Sequence, residues 1–221
     1  MKKTYEIALE ISGSTAMWTR PDTGDCPVSY PAPTYSAVKG IFESVFWGET
    51  AEIIPIRTEI CSPIIYHSYQ TNYGGPLRKS DVMKSGGSFQ LLATVLLNVC
   101  YKLYAEVVPI GKQRKELINS NSKQWDSRTN SPGHAYQAIF NRRLKQGQCF
   151  TIPFLGWKEF APDYVGSFRD TTFTQEDMNM VIPSMLRQVF PEGFKSKVHF
   201  VYDQNVRIEN GVLVYPKKGE A

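Results

Sequence analysis

From Leu91 to Val108 the chain alternates with a period of two. Val99, Tyr101, Leu103, Ala105 and Val107 fall on one face, and Asn98, Lys102, Tyr104 and Glu106 on the other. Successive strand side chains point to opposite faces, so this stretch predicts a half-buried strand, the longest strand candidate in the sequence. Such a strand needs paired neighbours and a cover over its apolar face. Two neighbours are legible. Tyr5, Ile7, Leu9 and Ile11 alternate with Glu6, Ala8 and Glu10, and Ile54, Ile56 and Ile60 alternate with Pro55, Arg57 and Glu59, a strand read on through Ile64, Ile65 and Tyr66. A cover is legible too. Thr34 can cap a helix from about Tyr35 to Trp47, whose Val38, Ile41, Phe42 and Val45 recur at helical spacing. Lys39 and Glu43 then form an exposed pair four residues apart.

A second helix follows Ser131, a good N-cap, with Pro132 at its first position. Tyr136, Ile139, Phe140 and Leu144 make its apolar face. Asn141, Arg142 and Lys145 cover the other, Arg143 sits at the edge, and Gly147 is placed for a left-handed cap. An extended run from Phe150 leads into a last strand over Leu155 to Phe160, with Trp157 and Phe160 read as core side chains. The order strand, helix, strand, strand, helix, strand is the split βαβ pattern. The fold class is therefore α+β, a ferredoxin-like (RRM-like) βαββαβ core over residues 1–165, whose four-stranded sheet is a common RNA platform. Residues 166–221 form a C-terminal β-rich extension. In it Phe173 to Phe190 reads as helical stretches interrupted by Pro183, and Asn210-Gly211 joins two hairpin strands. A separate subdomain and an extension of the sheet both remain open. Between these elements lie a long loop at 12–33, a glycine-rich polar stretch at 67–90 and a basic polar stretch at 109–130.

The chain has 221 residues, 42% of them hydrophobic, and a net charge of +4, enough for a real core and permissive of an acidic partner without requiring one. His67, His134 and His199 are too scattered for a metal site, so neither metal nor cofactor is implied. Cys26, Cys61, Cys100 and Cys149 form no C-x-x-C pair and are read as reduced core thiols of a cytoplasmic protein. The N-terminus runs straight into a strand, so no signal peptide is expected. No apolar run reaches the ~18 residues of a membrane span.

The cations closing the second helix suit its dipole, or they line a phosphate-binding ridge; both readings stand. As a set, Arg20, Lys39, Arg78, Lys79, Lys84, Arg142, Arg143 and Lys145 border one sheet and are the candidate RNA contacts, against the alternative of solvated surface charge.

Three blocks carry a resemblance. Ser29 to Trp47 looks like the first helix of the fifth CRISPR-associated protein family (Cas-five) in its type I-C or Dvulg subtype. Phe140-Asn141-Arg142-Arg143, then Gly147 to Phe150, then Leu155 to Phe160 is similar to that subtype's most characteristic segment, and Trp18-Thr19-Arg20-Pro21 matches in kind. The resemblance implies a ferredoxin-like core with a C-terminal β extension. It implies a subunit that holds the 5′ handle of CRISPR RNA at the end of a type I surveillance complex, beside its backbone and large subunits. It also implies a metal-independent cut of the precursor transcript, in which the ribose 2′-OH attacks the adjacent phosphate. The family's catalytic tyrosine falls at Phe46, and its Lys-His pair at Ala135 and Tyr136. Phe46 lacks the hydroxyl and Ala135 the charge. Tyr136 and the nearby His134 are then the candidate catalytic residues. Binding with cleavage, binding without it, an unrelated RNA-recognition module and a metal-dependent hydrolase are the readings weighed, the last with no ligand constellation behind it.

Overall fold

The computed structural model describes residues 5–72, 90–110, 131–190 and 197–216. In chain order they form β1 (Tyr5–Ala16), α1 (Tyr35–Val45), β2 (Ala51–Ile60), β3 (Ile65–Asn72), β4 (Gln90–Pro109), α2 (Pro132–Lys145), β5 (Tyr164–Gly166), β6 (Met180–Gln188), β7 (Val201–Glu209) and β8 (Val212–Val214). The strands make one sheet in the order β5-β1-β4-β2-β8-β7-β6, with β3 pairing β4 off that path. Every pairing of these strands is antiparallel.

The alternating stretch is the 20-residue β4 at the centre of the sheet. One half lies between β1 and β2, and the other pairs with β3. The change of partner falls at Asn98, which takes φ 51, and at Cys61, whose amide donates to the Cys100 carbonyl at 2.8 Å. Val99, Tyr101, Leu103, Ala105 and Val107 join Ile7, Leu9 and Ile11 of β1 in the core, under Val38, Ile41, Phe42 and Val45 of α1 and Tyr136, Phe140 and Leu144 of α2. The same cluster takes in Ile182, Met185, Val206, Ile208, Leu213 and Tyr215, so the C-terminal strands extend this core and this sheet.

α1 begins as its cap predicts, with Thr34 Oγ1 accepting from the Ala37 amide at 3.3 Å. Other expectations are corrected. Ser131 makes no side-chain cap on α2; its hydroxyl is 2.6 Å from the Tyr5 hydroxyl instead. Lys39 turns from Glu43 to Glu52 of β2, at 2.9 Å. The second strand breaks between Ile60 and Ile65, and β3 runs into what reads as loop. β1 continues to Ala16, and Met17, Trp18, Tyr30 and Ala32 of the following loop are core residues, because a parallel bridge from Val28 to Thr94 lays that loop along β4. Leu155 to Phe160 is no strand. Gly156 has φ +92, and a Cβ there would stand 1.8 Å from the Met17 carbonyl oxygen, so this segment is a tight turn pressed on β1. Phe160 is core, and Trp157 stacks on it with ring centroids 5.8 Å apart. The next strand in the chain is instead β5, which pairs with β1. Helix is also absent from 180–188. Pro183 sits in edge strand β6, the place in a sheet where a missing N–H is tolerated. The cysteines are free but not core: Cys26 and Cys149 are exposed, and Cys61 and Cys100 are half-buried.

Away from the helices, the segment after β5 is pinned to the sheet by Glu10, which is fully buried. Its carboxylate accepts from the Arg169 amide at 2.8 Å, Arg169 Nε at 2.6 Å and Thr172 Oγ1 at 2.8 Å. Burial opposes ionisation, but these donors outweigh it and hold the carboxyl below the usual range.

Candidate nucleic-acid interface

The end of α1 and the length of α2 meet over Phe46. The Phe46 and Tyr136 rings stand 4.6 Å apart, and the Tyr136 hydroxyl donates to the Phe46 carbonyl. Residues 46 and 136 are thus neighbours, though 90 residues separate them in sequence. The pair is apolar and closed. Tyr136 is 1% exposed, and burial drives its phenol further above its already alkaline range. A phenol so held, with its proton committed to a carbonyl, is neither a base nor an acid at neutral pH. Its place on α2 explains this: Tyr136, Phe140 and Leu144 are one buried stripe.

His134 lies outside that stripe. It is exposed, its ring edge-on to Tyr5 with centroids 6.3 Å apart. Arg143 turns inward. Its Nη1 donates to the Val45 carbonyl at 3.1 Å, and its guanidinium lies 5.1 Å from the Phe46 ring centroid, capping the negative end of α1. Arg142 and Lys145 point to solvent from the last turn of α2, and neither has an ion-pair or side-chain hydrogen-bond partner among the described residues.

The remaining candidate contacts do not join this ridge. Arg20 pairs with Asp22 at 2.7 Å and lies over Tyr30. Lys39 is held by Glu52. Arg78, Lys79 and Lys84 lie outside the described residues. The structure therefore gathers Arg142, Arg143 and Lys145, near Phe46 and Tyr136, and leaves Arg20 and Lys39 in ion pairs of their own. Among the described residues no group of three or more His, Cys, Asp or Glu side chains could hold a metal ion, and no helix is long and apolar enough to cross a membrane.

One feature was not legible in the sequence. After α2 the chain returns to α1: the amides of Phe150 and Thr151 both donate to the Ser44 carbonyl, at 2.7 and 3.0 Å. Between this return and the outer face of α1 runs an open groove of about 410 Å³. Its walls carry Trp47, Phe150 and Phe154, which are 52%, 72% and 40% exposed. Glu43 lines it as well, and burial raises its carboxyl pKa. The signal available in sequence was aromatics falling off the apolar periodicity, at 47 and at 150–154.

The family model for the CRISPR-associated protein Cas5 matches residues 6–166. The CRISPR pre-crRNA endoribonuclease Cas5d of Mannheimia succiniciproducens is 27% identical over 95% of this chain and 94% of its own length. That of Thermus thermophilus is 27% identical over 70% of this chain, which spans 61% of that relative. A solved structure described as a CRISPR-associated protein superposes with a TM-score of 0.69 at 18% identity, covering 99% of this chain and 95% of that one, a likeness of fold.

Proposed function

The chain belongs to the Cas5 family of CRISPR-associated proteins, and from that premise we propose that it binds the repeat-derived 5′ handle of CRISPR RNA as a cytoplasmic subunit of a type I-C surveillance complex, seated against that complex's backbone and large subunits. The observation that carries the reading is the end of α2. Arg142 and Lys145 are exposed, one helical turn apart and unpartnered among the described residues, within the stretch that the family model matches, and a ribose-phosphate chain supplies the anions they lack. A row of cations without matching carboxylates positions a backbone and does not read sequence. The strand order β5-β1-β4-β2, with α1 following β1 and α2 following β4, supports a ferredoxin-like core ending near residue 165, with β6, β7 and β8 as its extension.

Processing of the precursor is the second half of the proposal, supported by the names of the relatives. Attack of a 2′-OH on its own phosphate needs a group to take or orient the hydroxyl proton and a cation for the developing charge. His134 is the accessible imidazole on α2, and Arg142 and Lys145 are its accessible cations. One observation favours binding without cleavage: the closed Phe46–Tyr136 pair holds no proton-transfer group at the positions the family uses.

Repeat RNA incubated with the purified protein in EDTA separates the readings. The expected result is salt-sensitive binding and one discrete cut on the 3′ side of the stem, lost in His134→Ala while binding persists. An intact repeat with binding retained leaves the binding-only reading, and absence of binding overturns both.

A further inference from the structure

The groove between α1 and residues 150–154 has two properties that packing does not explain. Gly40 sits in the middle of α1, where glycine costs about 1 kcal/mol relative to alanine. A Cβ there would meet no atom within 4 Å, so no neighbour requires its absence. What the missing side chain leaves is open floor, since Gly40 lines the groove. Glu43, one turn on, is a half-buried carboxylate on the same wall, and it accepts no hydrogen bond among the described residues, because Lys39 is taken by Glu52. A partly desolvated carboxylate without donors is an unfavourable arrangement unless a ligand brings them.

From these two features we infer that the groove receives one unpaired nucleobase of the bound RNA, stacked on the exposed aromatics and read by Glu43 through its Watson–Crick edge. This rests on the RNA-binding reading above and deepens it. The volume, about 410 Å³, is in the range of small-ligand clefts. Trp47, Phe150 and Phe154 supply the apolar faces on which single-stranded bases stack. The electrostatics divide the nucleotide between two sites. Glu43 repels a phosphate, while the neighbouring end of α2 attracts one, and the two are tied through Ser44, Val45 and Arg143. The carboxylate also ranks the bases. Guanine offers two adjacent donors, N1–H and the 2-amino group. Cytosine and adenine offer one amino group each. Uracil offers a single N3–H between two carbonyl oxygens that repel the carboxylate.

The test uses fluorescent single-stranded oligouridine and the same oligomer with one central guanosine, cytidine or adenosine. The full-length protein should bind the guanosine probe about tenfold more tightly than the all-uridine probe, the effect of one good carboxylate–base pair. Glu43→Gln, whose amide both donates and accepts, should bring the probes within about twofold of each other. Gly40→Leu should fill the floor, erase the preference and melt no earlier than the parent, which separates blocking from misfolding. Equal affinity for all probes in the parent protein, or a uniform rise for all of them in Glu43→Gln, overturns the inference and leaves handle binding standing. So does a Gly40→Leu variant that still discriminates, since the base is then read outside the groove. Loss of binding to every probe by the parent protein strikes the RNA-binding reading itself.

Discussion

Two side chains set what α2 and its surroundings can do. Tyr136 has its hydroxyl turned to the Phe46 carbonyl and its ring in the core, so Tyr136→Phe should lower stability by about 1 kcal/mol in urea unfolding and leave any RNA cleavage rate unchanged. A cleavage rate that falls with full retention of binding would restore Tyr136 as a catalytic residue. Gly156 is the other kind of constraint. With φ +92 and the Met17 carbonyl where a Cβ would go, Gly156→Ala must push the 155–160 turn off the end of β1, breaking the Met17 to Leu155 hydrogen bond of 2.9 Å. Its expected cost is about 3 kcal/mol, read as a lower urea midpoint with the same slope. Both positions could be named from the sequence, but not their states. The spacing of Tyr136 with Phe140 and Leu144 marks it as core, and only its resemblance to a catalytic position suggests otherwise.

At the scale of elements, period-two alternation made β1, β2 and β4 legible, and 3.6-residue periodicity did the same for α1 and α2. The failures have physical causes. Met180 to Gln188 carries apolar residues at 180, 181, 182, 185 and 186, spaced as on a helix face and not in period-two alternation, so the strand is not marked in the sequence. Ser131 is a good cap residue by type, but a Tyr5 hydroxyl brought from β1 competes for it. The candidate interface was half legible. The basic end of α2 could be read directly, whereas the groove joins residues 36–47 to residues 150–156 and has no local pattern. Two outcomes belong here. Arg142→Ala with Lys145→Ala should weaken handle binding and reduce the salt slope by about 0.7 for each single-strand phosphate no longer neutralised, and an unchanged slope removes those two residues from the interface. The segment after β5 should loosen in acid. The Glu10 carboxyl lies lower folded than unfolded, so its stabilisation is complete above the unfolded value of about 4.3 and is lost as pH falls through the folded one. The protection of the Arg169 amide against exchange, measured relative to its intrinsic rate and set by its bond to Glu10, should fall over that range, and in Glu10→Gln it should be low at neutral pH as well.

The molecule as a whole is held together from both ends of the sequence. Tyr215, next to β8, donates to the Pro33 carbonyl at 2.7 Å, lies 2.9 Å from Thr58 Oγ1 and meets the edge of Tyr35, so the entrance to α1 is built on the last strand's neighbour. β8 is also the second partner of β2. The full chain should therefore unfold in one transition, with tryptophan fluorescence and far-ultraviolet circular dichroism superimposed, and a chain ending at Gly166 should show no cooperative melt. Two separated transitions would count against a shared core. The pairing of β2 with β8 bears on how the protein is made. A ribosome releases β2 long before β8, so the nascent sheet carries an unpaired edge along β2 until β8 has emerged, and a stalling event or frameshift before that point would leave the edge open to other chains.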